Sequence, residues 1–429
     1  MSAPRSAYVH IPFCHRRCFY CDFAVVPLGD KARGESAPGS ATIQAYLEQL
    51  RAEIALSPEG PPLATVYIGG GTPSLLTPKQ IGVVLEALRD RFGFQSGAEV
   101  TLEMDPASFD QSDLDALLSH GVNRVSLGGQ SFDDAVLERL GRRHRRTDLI
   151  QCCQWLDQAL QAGSLRSWSL DLIRNLPNQN LEGWRDQLEQ GLMVAAPHLS
   201  IYDLAVEVGT VFAWRQARGE LSLPDDDLAV ELMALTSDRL SRAGFCRYEI
   251  SNYALPGHAS RHNRVYWSGS GWWGFGMGAT SAPWGERLAR PRTRESYANW
   301  LETQLVGLDP SLRAESAKSL PLDDRLLVGL RRREGVDLRQ QAEACGWTDA
   351  VCDRYLPLLT ARWRSACERG WLIHEQGRWR LTDPEGMALS NQVLVEVVSW
   401  WDELPDHVAA RSSPGGHQRR ADVPGSTPD

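Results

Sequence analysis

The sequence lacks the features that mark several common classes of protein. None of its apolar runs reaches the length needed to cross a bilayer, and its start, MSAPRSAYVHIP, lacks the basic and apolar segments of a secretory signal. With a net charge of −9 over 429 residues, it also lacks the positive excess that general attraction to nucleic acid requires. These absences predict a soluble, cytoplasmic protein that does not bind nucleic acid.

Cysteine is present in an odd number, nine, and three of these residues lie close together in IPFCHRRCFYCDF: Cys14, Cys18 and Cys21. In a long chain this usage indicates a reducing compartment and metal binding. A zinc site completed by His10 or His15 is one interpretation, because tetrahedral zinc accepts three sulfurs and one nitrogen. An iron–sulfur cluster with one iron left free of protein ligands is the other. The absence of a second cysteine pair nearby favours the cluster, and zinc stays open.

Six short apolar or β-branched runs recur along the first half of the chain, at 7–11, 64–70, 99–105, 124–130, 168–173 and 198–204. Segments with apolar residues at helical spacing lie between them, at 41–56, 77–92 and 148–163. Alternating strands and helices predict an α/β fold with a parallel sheet and crossover helices. A closed barrel of this kind has eight units. Six units therefore predict a partial (β/α)6 TIM-like barrel.

Polar and glycine-rich motifs follow the ends of these predicted strands, where parallel sheets gather their functional groups. They are the cysteines after the first strand, Gly69 to Thr72 after the second, Glu103 and Asp105 on the third, Gln130 after the fourth and Asp171 on the fifth. The stretch GGGTPSLL has no Gly-Lys-Ser/Thr and carries Ser74 in place of a third fingerprint glycine, so it is neither a P-loop nor a dinucleotide motif. Its glycines allow either close backbone approach to a ligand or a tight turn.

The cysteine and glycine motifs together resemble those of the radical S-adenosylmethionine superfamily. In that superfamily the amino and carboxylate groups of S-adenosylmethionine chelate the open iron of the cluster. The stretches YVHIPFCHRRCFYCDF, YIGGGTPSLL, VSLGGQSFDDAVLERLGRRH and HNRVYW resemble the branch that contains oxygen-independent coproporphyrinogen III dehydrogenase and the HemW haem chaperones. The resemblance extends from about residue 7 to residue 397 in continuous order.

The resemblance implies a cofactor role for particular residues. Cys14, Cys18 and Cys21 would hold a [4Fe-4S] cluster. The residues implied to line S-adenosylmethionine are Tyr8, Tyr20, Gly70, Gly71, Thr72, Glu103, Gln130, Arg142, Asp171 and Ala205. Carboxylates such as Glu103 and Asp171 can accept from an amine or ribose hydroxyls, and Arg142 can face a carboxylate. The adjacent Cys152 and Cys153, on a predicted helix, are expected to be core residues.

Two functions fit this branch: a haem chaperone and a coproporphyrinogen III dehydrogenase. The dehydrogenases carry a further cysteine two places after the third, where this chain has Phe23, and a long segment ahead of the cluster, where only thirteen residues precede Cys14. HNRVYW resembles a motif of the chaperones, and it implies that His262 ligates haem iron with Tyr266 and Trp267 beside the macrocycle. The resemblance thus implies a haem chaperone, with the dehydrogenase as the alternative.

The implied partners are haem and a haem-acceptor protein that the sequence does not specify. A membrane-associated acceptor is compatible with this expectation, and the oligomeric state is left open. The core is predicted over residues 1–300, a smaller C-terminal domain over 315–397, and a disordered tail over 405–429. Two helices followed by a hairpin with Gly377 at its turn predict a winged-helix-like unit, which is not basic enough to favour nucleic-acid binding.

Overall fold

The computed structural model describes residues 3–29, 39–307 and 320–409. Its strands are β1 Ser6–Ile11, β2 Phe13–Cys14, β3 Val26–Pro27, β4 Leu63–Gly70, β5 Phe94–Met104, β6 Arg124–Gln130, β7 Ser167–Arg174, β8 His198–Asp203, β9 Cys246–Arg247, β10 Asn252–Ala254, β11 Trp273–Phe275, β12 Thr280–Ser281, β13 Leu288–Ala289, β14 Leu372–Glu375 and β15 Arg378–Leu381. The helices up to the second gap are α1 Ser40–Leu56, α2 Pro78–Phe92, α3 Gln111–Ser119, α4 Asp134–Arg139, α5 Arg146–Gln161, α6 Leu181–Met193, α7 Val211–Ala217, α8 Asp226–Arg242, α9 Arg261–Trp267 and α10 Arg294–Gly307, with a 3-10 turn at Pro73–Leu75.

Nine strands form the central sheet, in the order β11-β1-β4-β5-β6-β7-β8-β10-β9. The six predicted runs are β1 and β4 to β8, which lie side by side and are all parallel. The predicted α/β fold with crossover helices is therefore confirmed. Three short strands that the sequence did not indicate extend its edges: β11 pairs parallel with β1, and β10 and β9 add an antiparallel end.

Local sequence explains where the crossover helices begin and what the strands bury. Helix α2 starts at Pro78, and the side chain of Thr77 caps it in a reciprocal capping box with Gln80. On β1, Val9 belongs to the hydrophobic core of the sheet and helices, whereas Tyr8 lines a cavity. This follows from the two-residue period of a strand, which sends neighbouring side chains to opposite faces of the sheet.

A second hydrophobic cluster forms in the C-terminal part of the chain. Its helices are Leu322–Gly329, Leu338–Ala344, Asp349–Arg362, Arg364–Glu368, Glu385–Ala388, Ser390–Asp402 and Asp406–Ala409. The hairpin of β14 and β15 lies among them, with Gln376 and Gly377 both at positive φ in its turn, so the predicted helices and hairpin are confirmed.

The boundaries of the three predicted regions remain predictions. Of the tail placed at 405–429, the first residues include the helical turn Asp406–Ala409, and residues 410–429 lie outside the described residues. No helix in the described part of the chain is both long and apolar enough to cross a membrane.

Candidate cofactor site

A cavity of about 380 Å³ opens at the carboxyl ends of the parallel strands. We refer to it as the central cavity. It brings together every residue predicted to hold the cluster or S-adenosylmethionine except Tyr8: Cys14, Cys18, Tyr20, Cys21, Gly70, Gly71, Thr72, Glu103, Gln130, Arg142, Asp171 and Ala205. Residues almost two hundred positions apart in the sequence thus line one space.

The three cysteines are free thiols, and the neighbouring backbone approaches them closely. A Cβ atom on Gly71 would lie 2.9 Å from Cys14 Sγ and 2.7 Å from the carbonyl oxygen of Phe13, so a side chain at this position would collide with the cysteine loop. Thr72 donates its hydroxyl to Cys14 Sγ at 3.6 Å. Burial raises the pKa of the Cys14 thiol to about 12 and also raises that of Cys21.

The cysteines do not meet at a point that a single metal ion would occupy. Within the described ranges, no group of three or more histidine, cysteine or acidic side chains has the geometry to hold one ion. Of the two candidates for a fourth zinc ligand, His10 bonds the carbonyl oxygen of Ala24 through Nε2 and His15 bonds that of Gly29 through Nδ1. This arrangement gives the zinc interpretation no support.

The carboxylates of Glu103, on β5, and Asp171, on β7, line the central cavity. Glu103 accepts from the hydroxyl of Tyr67 and from the backbone N–H of Gly70, both at 2.9 Å, and burial raises its pKa. Asp171 accepts from the hydroxyl of Ser126 at 3.1 Å. Burial raises the pKa of Asp171 to about 7, although its hydroxyl donors oppose the shift.

Arg142 brings a positive charge to the same cavity. It forms an ion pair with Asp105, donates to the carbonyl oxygen of Gly128 at 2.8 Å, and places Nη1 3.9 Å from Cys18 Sγ. Burial alone would raise the pKa of Asp105, but the charge of Arg142, together with smaller contributions from other neighbouring groups, outweighs that effect and lowers the pKa. The Nε atom of Arg142 is buried and has no hydrogen-bond partner in the part of the chain that the structure describes.

Ser126 and Tyr202 also line the central cavity, and the sequence reasoning did not single them out. Ser126 bonds both Ser169 and Asp171 from the adjoining strand. The alternation of side chains along β6 and β8 was the available signal, since Ser126 and Gly128 share a face of β6, and Ser200 and Tyr202 share a face of β8.

Tyr8 lies instead in a neighbouring space of about 280 Å³, which we call the lateral cavity. Its lining residues are Tyr8, His10, Phe23, Ala24, Tyr266, Trp272, Gly278, Thr280 and Arg292. The hydroxyl of Tyr8 is 3.0 Å from His10 Nδ1. The two cavities share one lining residue, Phe23.

His262, the implied haem ligand, lines neither cavity and is fully buried at the start of α9. Its Nδ1 is 2.8 Å from the hydroxyl of Thr65, its Nε2 is 2.8 Å from that of Tyr266, and its ring stacks on Tyr67. Burial lowers the pKa of His262 to about 3, so the ring is neutral at physiological pH. Both nitrogens already have partners, and an iron could bind only where one of these bonds is exchanged.

Comparison with known proteins first defines the class. Residues 8–189 match the sequence model of the Radical SAM superfamily. The solved structure of coproporphyrinogen III oxidase (HemN) from Escherichia coli, a radical SAM enzyme, superposes with a TM-score of 0.73 at 20% identity and covers 92% of this chain and 90% of that chain. At this level of identity the match shows the shared fold, and it confirms the predicted partial barrel of the radical SAM type.

Two curated relatives narrow the assignment. The chain is 38% identical over 411 residues to the heme chaperone HemW of Synechocystis sp., covering 91% of this chain and 95% of that protein. It is 36% identical over 399 residues to the heme chaperone HemW of Escherichia coli, covering 91% of this chain and 97% of that protein. This chain belongs to the HemW family of radical SAM proteins.

Proposed function

We propose that this chain binds a [4Fe-4S] cluster, S-adenosylmethionine and haem, and that it transfers the haem to an acceptor protein. The observation that carries the proposal is the convergence of three free cysteines, two carboxylates and Arg142 on the central cavity. Relatives that are similar over nearly their whole length bear the name heme chaperone, which supports haem as the cargo.

The donor set of the central cavity fits a cluster. A cluster with several irons binds each thiolate at a different iron, so the cysteines need not share one ion. Cys14, Cys18 and Cys21 would hold three irons, and Gly71 keeps the backbone beside Cys14 clear of any side chain. When bound, the cluster supplies an electron through the iron that no cysteine holds.

The polar groups fit the three polar parts of S-adenosylmethionine. Glu103 offers a carboxylate to the amine, and Asp171 offers one to ribose hydroxyls. Among the residues that the structure describes, the Nε–H of Arg142 has no hydrogen-bond partner, and it would donate to the methionyl carboxylate. Desolvation in this cavity strengthens each of these charge pairs relative to water.

His262 remains the proposed haem ligand, and ligation requires that its bond to Tyr266 is exchanged for iron. Tyr266 lines the lateral cavity and bonds His262 Nε2, so it lies between the cavity and the imidazole. Iron would replace the Tyr266 hydroxyl at Nε2 while Thr65 keeps its bond to Nδ1. A neutral ring held by a second partner is the usual state of an iron-binding histidine.

Anaerobic reconstitution of the whole chain tests the proposal. We expect about four irons and four sulfides per chain, as the cluster formula requires, together with saturable binding of haem and S-adenosylmethionine. Haem-loaded protein should pass haem to apo-myoglobin. In a separate assay with coproporphyrinogen III, the cluster-loaded protein should produce no protoporphyrinogen IX. Many turnovers of coproporphyrinogen per cluster would replace the chaperone proposal by the dehydrogenase. Failure to bind haem would refute the chaperone proposal.

A further inference from the structure

Phe23 is a large aromatic residue left 56% exposed at the rim that the two cavities share. It follows the third cysteine by two positions, and the preceding Cys21 lines the central cavity. A single exposed aromatic side chain is common at a protein surface, but this one lies where two cavities meet. The position therefore offers a flat apolar platform next to the candidate cofactor site.

Two arginines flank this platform, one on the side of each cavity. Arg17 lines the central cavity and donates to the carbonyl oxygen of Phe23 at 2.8 Å. Arg292 lines the lateral cavity and donates to the carbonyl oxygen of Asp22. These acceptors belong to consecutive residues, whose Cα atoms lie about 3.8 Å apart, so both arginines are bonded to the short backbone segment that carries Phe23. Each bond uses one of five N–H donors, and both side chains are exposed.

The wall of the lateral cavity is aromatic and held in place. The rings of Tyr266 and Trp272 pack edge to face with centroids 4.8 Å apart. The indole N–H of Trp272 donates to the carbonyl oxygen of Thr280 at 2.8 Å, which fixes the ring. Flat rings inside and two positive charges at the rim match a flat, apolar ligand that carries two carboxylates on one edge.

We propose that haem binds at the mouth of the lateral cavity, with its macrocycle against Phe23 and its two propionates paired with Arg17 and Arg292. This placement rests on the proposed function, because it assumes that haem is the cargo. A cavity of about 280 Å³ admits only part of the macrocycle, so the remainder covers Phe23 towards the central cavity. One face of the inserted part lies towards Tyr266, the residue that bonds His262.

The test compares haem with haem dimethyl ester, which keeps the macrocycle but has no free propionates. Both are titrated into cluster-loaded protein carrying Phe23→Ala, Arg17→Ala or Arg292→Ala. Arg287→Ala serves as the matched control, since Arg287 is exposed in the same region and lines neither cavity. Iron and sulfide contents and melting temperature are measured for every variant.

We expect each arginine variant to weaken haem binding roughly three- to tenfold, as for the loss of a charge-assisted hydrogen bond at a surface, and to leave the ester unaffected. Phe23→Ala should weaken both ligands by roughly three- to tenfold, and the control should weaken neither. Equal losses for haem and ester in the arginine variants, or unchanged affinities throughout, would overturn the placement alone. Absence of haem binding by the unaltered protein would overturn the proposed function together with it.

Discussion

Arg142 forms an ion pair with Asp105 in the wall of the cavity that the three cysteines line. In the sequence Arg142 lies within RRHRR, a run that on its own resembles a solvated basic surface. The pair is largely removed from water, with 11% of the Arg142 side chain and 20% of the Asp105 side chain exposed. A fixed positive charge therefore lies beside Cys18, where cluster thiolates and a ligand carboxylate would both be stabilised by it.

Replacing any one of Cys14, Cys18 and Cys21 with Ala should abolish stable cluster assembly, because no neighbouring thiol can take the lost position. Iron and sulfide per chain after anaerobic reconstitution report the outcome. Cys152→Ala is the control, because Cys152 is buried in the core of the sheet and helices. Zinc in place of iron in the anaerobically prepared protein would contradict the cluster assignment.

Glu103→Gln should weaken binding of S-adenosylmethionine by roughly ten- to a hundredfold, the range for a lost hydrogen bond to a charged group. The substitution keeps the shape of the side chain and an oxygen that can accept from Tyr67 or Gly70. Equilibrium binding of S-adenosylmethionine to the cluster-loaded protein measures the effect, with Glu86→Gln, on the exposed side of α2, as control. Unchanged affinity would remove Glu103 from the proposed site.

His262→Ala should weaken haem binding and also lower the free energy of unfolding by about 2 kcal/mol, because Thr65 and Tyr266 each lose a buried partner. Haem titration and chemical denaturation measure the two effects separately. His374→Ala, which removes an exposed ring on β14, is the control.

Tyr266→Phe separates ligation from packing. Removal of this hydroxyl leaves His262 Nε2 without its partner, so a ligating histidine should bind iron at least as well as before. Haem affinity that falls equally in Tyr266→Phe and His262→Ala would mean that the His262–Tyr266 bond shapes the cavity and that His262 is not the iron ligand.

Asp171→Asn should change how stability depends on pH. Burial raises the pKa of Asp171 from its usual 3.8 to about 7, so between these values the folded chain keeps a proton that the unfolded chain has released. Stability of the unaltered protein is then lost as pH rises from about 4 to 7, by at most about 1.4 kcal/mol per unit from this group. Asn does not titrate.

Denaturation of the cofactor-free protein at pH 5 and pH 8 measures this difference. The stability of Asp171→Asn relative to the unaltered protein should be greater at pH 8. Asp115→Asn, at an exposed position of α3, provides the comparison. Parallel pH profiles for Asp171→Asn and the unaltered protein would show that Asp171 is ionised throughout this range in the folded chain.

The parallel strands were predictable because short apolar or β-branched runs alternate with segments of regular helical apolar spacing. The edge strands β9, β10 and β11 were not, since they span only two or three residues and too few alternating positions to give a period. Motif order placed the cysteines and Glu103 in one cavity. It could not show that Tyr8 faces the lateral cavity or that His262 contacts Thr65 and Tyr67, because those contacts depend on how α9 packs against β4.

None of the described C-terminal residues, 320–409, lines either cavity, yet this region is bonded to the segment that carries His262. Asp383 pairs with Arg247, and Glu334 pairs with Arg264 within α9 itself. These two ion pairs join the C-terminal region to the chain between β9 and the end of α9. The start of α9 is bonded separately to β5, where Glu99 accepts from the backbone N–H groups of Arg261 and His262, so the helix that carries His262 is tied to the barrel and to the C-terminal region at once.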